Sequence, residues 1–123
     1  MSRLYIIPGW GHLITDQPYQ DLIKQVEDCY TIIPLDWDSR LDEHFVFGKN
    51  RSFKEVMDKV RSQIVEPTEN DKILGFSVGA SIAYKLATEL PFGLALICSP
   101  SPVFGQVIAS AKDFTPEQIT ELI

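Results

Sequence analysis

The sequence predicts an α/β fold, a doubly wound parallel sheet of about four strands with helices on both faces. Two observations carry that expectation. Apolar runs alternate with amphipathic helical patterns along the chain. The apolar runs are near-continuous rather than alternating, as expected for strands covered on both faces. Right-handed crossovers then restrict the topology to a few doubly wound orders.

Leu4 to Ile7 is a short β-rich run stopped by Pro8-Gly9. Asp16 is placed to cap a helix with Pro18 in its first turn, where a missing N–H does no harm. Tyr19, Leu22, Ile23 and Val26 form the buried face of that helix by their 3–4 spacing. Thr31 to Leu35 is a second strand ending at Asp36. Trp37 to Asn50 is polar and aromatic without a clear period, and reads as a loop. Ser52 and Glu55 have the spacing of a capping box. The helix they open carries Phe53, Val56, Met57, Val60 and Ile64 on one face, and Pro67 follows it. Lys72 to Phe76 is a third strand, Val78 to Leu90 a helix rich in small residues, and Leu94 to Cys98 a fourth strand stopped by Ser-Pro-Ser-Pro. Thr115-Pro116-Glu117-Gln118 is a further capping signature.

A chain of 123 residues suffices for one domain with one core, spanning 1–123. Its apolar fraction of 45% and charged fraction of 23% are ordinary for a globular protein. A net charge of −6 argues against a nucleic-acid partner, which would require a basic face. Cys29 and Cys98 are the only cysteines, and reduced, buried thiols are the simplest reading. No segment approaches the ~18–20 apolar residues of a membrane span. The first apolar stretch is too short for a signal sequence. A cytoplasmic protein without a membrane partner is expected.

In a doubly wound sheet the ligand site lies beyond the carboxyl ends of the strands, where the winding reverses. If the first strand neighbours the third, two unusual loops meet there: Pro8-Gly9-Trp10-Gly11-His12 and Gly75-Phe76-Ser77-Val78-Gly79. The second matches G-x-S-x-G with an apolar strand before it and a helix after it. So tight a strand-to-helix turn holds its serine in a strained conformation. Gly75 and Gly79 leave room for neighbouring backbone. Ser77 then projects beside the free amides and positive end of a helix, and the Val78 N–H is placed to meet a developing oxyanion. The bland alternative is a glycine- and serine-rich turn without chemistry. A phosphate loop is disfavoured because neither Gly-Lys-Ser/Thr nor G-x-G-x-x-G is present.

Acyl transfer needs a second donor opposite Val78. The Trp10 N–H is the natural one, since a glycine-rich loop can turn its backbone inward. The Trp10 side chain reads equally as a pocket wall or as core. Trp37, Phe45 and Phe47 are candidates for an acyl pocket or lid and, with equal weight, for a satellite core. His12 flanks the site as a possible pocket residue; ordering the loop is its simpler role. His44 reads as structural and Asp36 as a turn residue that holds its loop. Asp38, Asp42 and Glu43 read as a solvated face, and no metal site or cofactor is expected.

The succession of Pro8-Gly9-Trp10-Gly11-His12, Pro34-Leu35-Asp36-Trp37, Gly75-Phe76-Ser77-Val78-Gly79-Ala80 and Cys98-Ser99-Pro100-Ser101-Pro102 resembles the α/β-hydrolase-fold serine hydrolases, small carboxylesterases in particular. The resemblance covers about residues 3 to 102, and its specific part is the elbow. It implies strand order 2-1-3-4, Ser77 as nucleophile and the Trp10 and Val78 amides as oxyanion hole. Its substrate would be a small ester or other acyl compound.

The same resemblance implies an acid and then a histidine after the nucleophile. Here His12 and His44 both precede Ser77, and Asp113 is the only aspartate after it; Glu89, Glu117 and Glu121 look helical. The expectation is therefore a hydrolase domain incomplete at its C-terminus, with base and acid outside this chain and with little activity on its own. The fourth strand would be an apolar edge, open to a homo-oligomer. A non-catalytic ligand-binding or interaction module of the same fold is the alternative. A flavodoxin-like or response-regulator-like domain is a third reading, without an acidic cluster at the strand ends to support it.

Overall fold

The computed structural model describes residues 1–9, 12–38 and 52–98. Trp10, Gly11, the aromatic loop with His44, Phe45 and Phe47, the Ser-Pro-Ser-Pro stop and the helix expected from Thr115 lie outside them. The described elements are β1 (Arg3–Ile7), α1 (Gln17–Val26), β2 (Thr31–Pro34), α2 (Phe53–Ser62), β3 (Lys72–Phe76), α3 (Val78–Glu89) and β4 (Leu94–Cys98).

The four strands form one parallel sheet in the order β2-β1-β3-β4. The winding reverses between β1 and β3, which pair from Leu4 with Lys72 to Ile7 with Gly75. Successive side chains of β1 point to opposite faces, as the pleat requires. Tyr5 and Ile7 join Val56, Met57 and Val60 of α2 and Val78, Ile82, Ala83 and Leu86 of α3 in one apolar layer. Leu4 and Ile6 join Tyr19 of α1 and Leu74 in the other, with Leu22, Ile23 and Val26 packed around them. Helices thus cover both faces, α1 on one and α2 with α3 on the other. Each fully buried Val or Met of α2 contributes about 1.5–3 kcal/mol by leaving water.

The helix starts differ in how they are capped. Ser52 Oγ accepts the Glu55 N–H at 3.1 Å, as the capping-box spacing predicts. Asp16 occupies the cap position of α1, but its carboxylate turns back to accept the Leu13 N–H at 2.9 Å. Its oxygen therefore closes the preceding turn instead of meeting a helical amide. β2 stops at Pro34, one residue short of expectation, although the Leu35 N–H still donates to Ile6 O at 2.9 Å.

Arg3 and Asp71 lock the amino ends of β1 and β3. Asp71, a buried carboxylate, accepts the Arg3 guanidinium at 2.7 Å, the Arg3 N–H at 3.1 Å and the Thr68 N–H at 2.9 Å. The outer edge is less well covered. Leu94 and Leu96 of β4, which share a face, are 44% and 42% exposed. Cys29 is exposed rather than buried, because it lies past the end of α1 in the turn to β2, and both thiols are free. No helix among the described residues is long and apolar enough to cross a membrane.

Candidate active site

The register that pairs Ile7 with Gly75 puts the exits of β1 and β3 side by side. Pro8-Gly9 leaves the first strand and Phe76-Ser77 the second. A Cβ placed on Gly9 would stand 3.3 Å from Ser77 Cβ, 3.3 Å from Phe76 O and 3.2 Å from His12 Nδ1. The two loops singled out in the sequence are therefore in contact, and His12 and Ser77 flank Gly9.

Ser77 has φ 55° and ψ −118°, a region that residues with a Cβ rarely occupy and that costs about 1–3 kcal/mol. Its backbone is held from both sides. The Ser77 N–H donates to Cys98 O at 3.1 Å, which continues the ladder with β4. The Ser77 carbonyl accepts the Ala80 N–H at 3.0 Å and starts α3. The turn closes tightly because its two glycines lack side chains. A Cβ on Gly75 would lie 2.2 Å from Gly79 O, and one on Gly79 would lie 2.5 Å from Pro8 O. The first contact folds the elbow on itself; the second presses α3 against the end of β1.

Ser77 is part-exposed at the amino end of α3, whose first turn carries no acidic residue. The helix dipole there favours negative charge. Val78 opens that helix, where the first amides have no partner within the helix itself. The Trp10 amide, the expected second donor, lies outside the described residues.

Both ends of the first loop are anchored. The Trp37 indole N–H donates to Pro8 O at 2.9 Å, and the Gly9 N–H donates to Tyr19 Oη at 2.9 Å. The His12 N–H returns to Gly9 O at 3.1 Å. His12 is exposed, but its Nδ1 faces Tyr19 Oη at 2.9 Å. Burial pushes the Tyr19 phenol above its ordinary range; the Gly9 hydrogen bond opposes this and the Asp16 charge adds to it. The phenol therefore keeps its proton.

No family model, curated protein or solved structure matches the chain.

Trp37, a candidate for an acyl pocket or lid and equally for a satellite core, is fully buried in the layer beneath α2 and α3. Its ring fills the core while its N–H shapes the loop. Asp36 is a turn residue at the end of β2, as expected: its carboxylate accepts the Asp38 N–H at 2.8 Å, and its backbone pairs twice with the Gln63 amide. Glu89 lies at the far end of α3, about 18 Å of helix from Ser77, and bonds Arg61 at 2.7 Å. It is too distant to act there. An open cavity of about 280 Å³ lies between the carboxyl ends of β1 and β2, lined by Pro8, Leu13, Ile14, Pro34 and Leu35. It is on the side of β1 away from Ser77. No group of three His, Cys, Asp or Glu among the described residues is placed to hold a metal ion.

Tyr19 is the site residue that sequence reasoning missed. Its place on the apolar face of α1 marks it as core. The one available signal was its type, since a buried tyrosine generally needs a partner for its hydroxyl.

Proposed function

We propose that the protein is a serine hydrolase acting on a small carboxylic ester or thioester through Ser77. The observation that carries this reading is the strained backbone of Ser77 at a strand-to-helix junction, packed against Gly9 at the sheet's switch point. A serine held in a costly conformation calls for a reason beyond folding, and acyl transfer supplies one.

In this reading Ser77 Oγ loses its proton to a base as it attacks the acyl carbon. The Val78 and Trp10 amides stabilise the oxyanion. The alcohol or thiol leaves with a proton, and water releases the acyl group from Ser77. We assign the base and acid to groups outside this sequence, since neither of its histidines follows the elbow. A cytoplasmic location, an acyl small molecule as partner and self-association through the β4 edge belong to the same proposal.

A fluorophosphonate tests it directly. Labelling of Ser77 in the full-length protein, lost in Ser77→Ala, is the expected result; an unlabelled protein overturns the reading. The histidine order keeps a second reading in view, a module of the same fold that binds an acyl compound without turnover. Binding of an acyl ligand by a protein that never reacts with the fluorophosphonate would favour it.

A further inference from the structure

We propose that Tyr19 is a positioning residue for the Ser77 site, its hydroxyl holding Gly9, through the backbone amide, and His12, through Nδ1, in place at the exit of β1 against Ser77. This role rests on the hydrolase reading of Ser77.

One side chain reaches both loops of the site. The Tyr19 ring stands edge-on to Phe76, the residue before Ser77, with centroids 5.2 Å apart and planes at 85°. Its hydroxyl meets Gly9 N–H and His12 Nδ1, each at 2.9 Å. A phenol has one proton to give and lone pairs to accept with. The oxygen accepts from the Gly9 N–H and forms a second hydrogen bond with His12 Nδ1, whose direction follows the His12 tautomer. Both neighbours are satisfied by a group only 5% exposed, where water is a poor substitute.

Gly9 itself is buried, and without the hydroxyl its N–H would lose its acceptor. Relief of that penalty would draw the loop into other shapes. Misplacement of a positioned group by about 1 Å costs on the order of 100-fold in rate. The ring alone would suffice for a purely structural role, as it fills the space between α1 and Phe76.

Tyr19→Phe in the full-length protein separates the two. The measurements are the rate of Ser77 labelling by a fluorophosphonate, kcat and KM for p-nitrophenyl acetate, and the thermal melt. We expect labelling and kcat to fall roughly 10- to 100-fold with KM within about twofold and the protein still folded at the assay temperature. An unchanged rate, or a loss that tracks the folded fraction, overturns the role. The double variant with His12→Ala should be no slower than Tyr19→Phe alone, because both act through one pair of hydrogen bonds; multiplying losses overturn that route. Should Tyr19→Phe not fold, His12→Ala at its exposed position decides, and an unchanged labelling rate overturns the proposal. A wild-type protein that does not label at all overturns the hydrolase reading and the role of Tyr19 with it. A wild type that labels, beside an unaffected Tyr19→Phe, overturns the role alone.

Discussion

The indole N–H of Trp37 donates to the carbonyl oxygen of Pro8 at 2.9 Å, tying together the exits of two neighbouring strands. Trp37→Phe keeps an aromatic ring in the core and removes the donor to a buried carbonyl. A loss of about 1–3 kcal/mol is expected, read from the urea midpoint. Ser77 labelling should slow as well, because Pro8 leads directly into Gly9.

The three glycines around Ser77 should respond differently to alanine. At Gly75 the new methyl would meet backbone at 2.2 Å, with nowhere to go. Gly75→Ala should cost at least about 3 kcal/mol or prevent folding. Gly79→Ala, at 2.5 Å from Pro8 O, should behave alike. At Gly9 the nearest atoms stand at 3.2 and 3.3 Å. Gly9→Ala should fold with a loss of about 1 kcal/mol and show its main effect as slower labelling of the adjacent Ser77.

Ser77→Gly should make the protein more stable and inactive. Glycine adopts a positive φ without steric cost, and the relief is offset by its greater freedom when unfolded. A net gain of about 1 kcal/mol in urea denaturation is expected. Ser77→Ala should abolish labelling equally without the gain.

Part of this was legible in the sequence and part was not, for physical reasons. Strand and helix placement and the elbow follow from local signals: apolar runs, the Ser52–Glu55 cap and glycines two positions either side of Ser77, whereas the strand order rested on the family resemblance. Trp37 illustrates the limit. Its type says that it is apolar with one polar atom, but only the folded chain shows that the core takes the ring and Pro8 the N–H. Asp16 had two amides within reach, and the preceding turn captured its oxygen. The Tyr19 hydroxyl was hidden altogether, because helical period assigns a face and says nothing about a partner on another strand's exit.

Tyr5 gives a prediction from the core itself. Its hydroxyl is buried without a hydrogen-bond partner among the described residues, while its ring meets Phe92 edge-on at 5.6 Å. Tyr5→Phe removes an unsatisfied polar atom and keeps the ring. Stability should stay level or rise by about 1 kcal/mol, measured by thermal melt.

Acid should act through Asp71. The Arg3 guanidinium beside it, with the Thr68 and Arg3 amides, holds its carboxyl at about 2, below the usual 3.8, against the opposing effect of burial. A carboxyl lowered on folding contributes stability above its unfolded value, and that contribution is lost as pH falls through the folded one. Unfolding measured from pH 5 down to pH 2 should therefore steepen below about pH 4. Asp71→Asn should be less stable at neutral pH and flatter across that range.

Arg3 and Asp71 are 68 residues apart, and Gly9 and Ser77 are separated by the same stretch. Between them lie α1, β2 and α2. The consecutive β3-α3-β4 unit can assemble from contacts near in sequence, but Gly9 reaches Ser77 only when β1 pairs alongside β3. Closing so long a loop is slow in folding although its entropic cost grows only gently with length. A nascent or partly unfolded chain can thus carry the elbow and still lack the wall opposite it. In the proposed reading, reactivity at Ser77 is in this sense a property of the finished sheet.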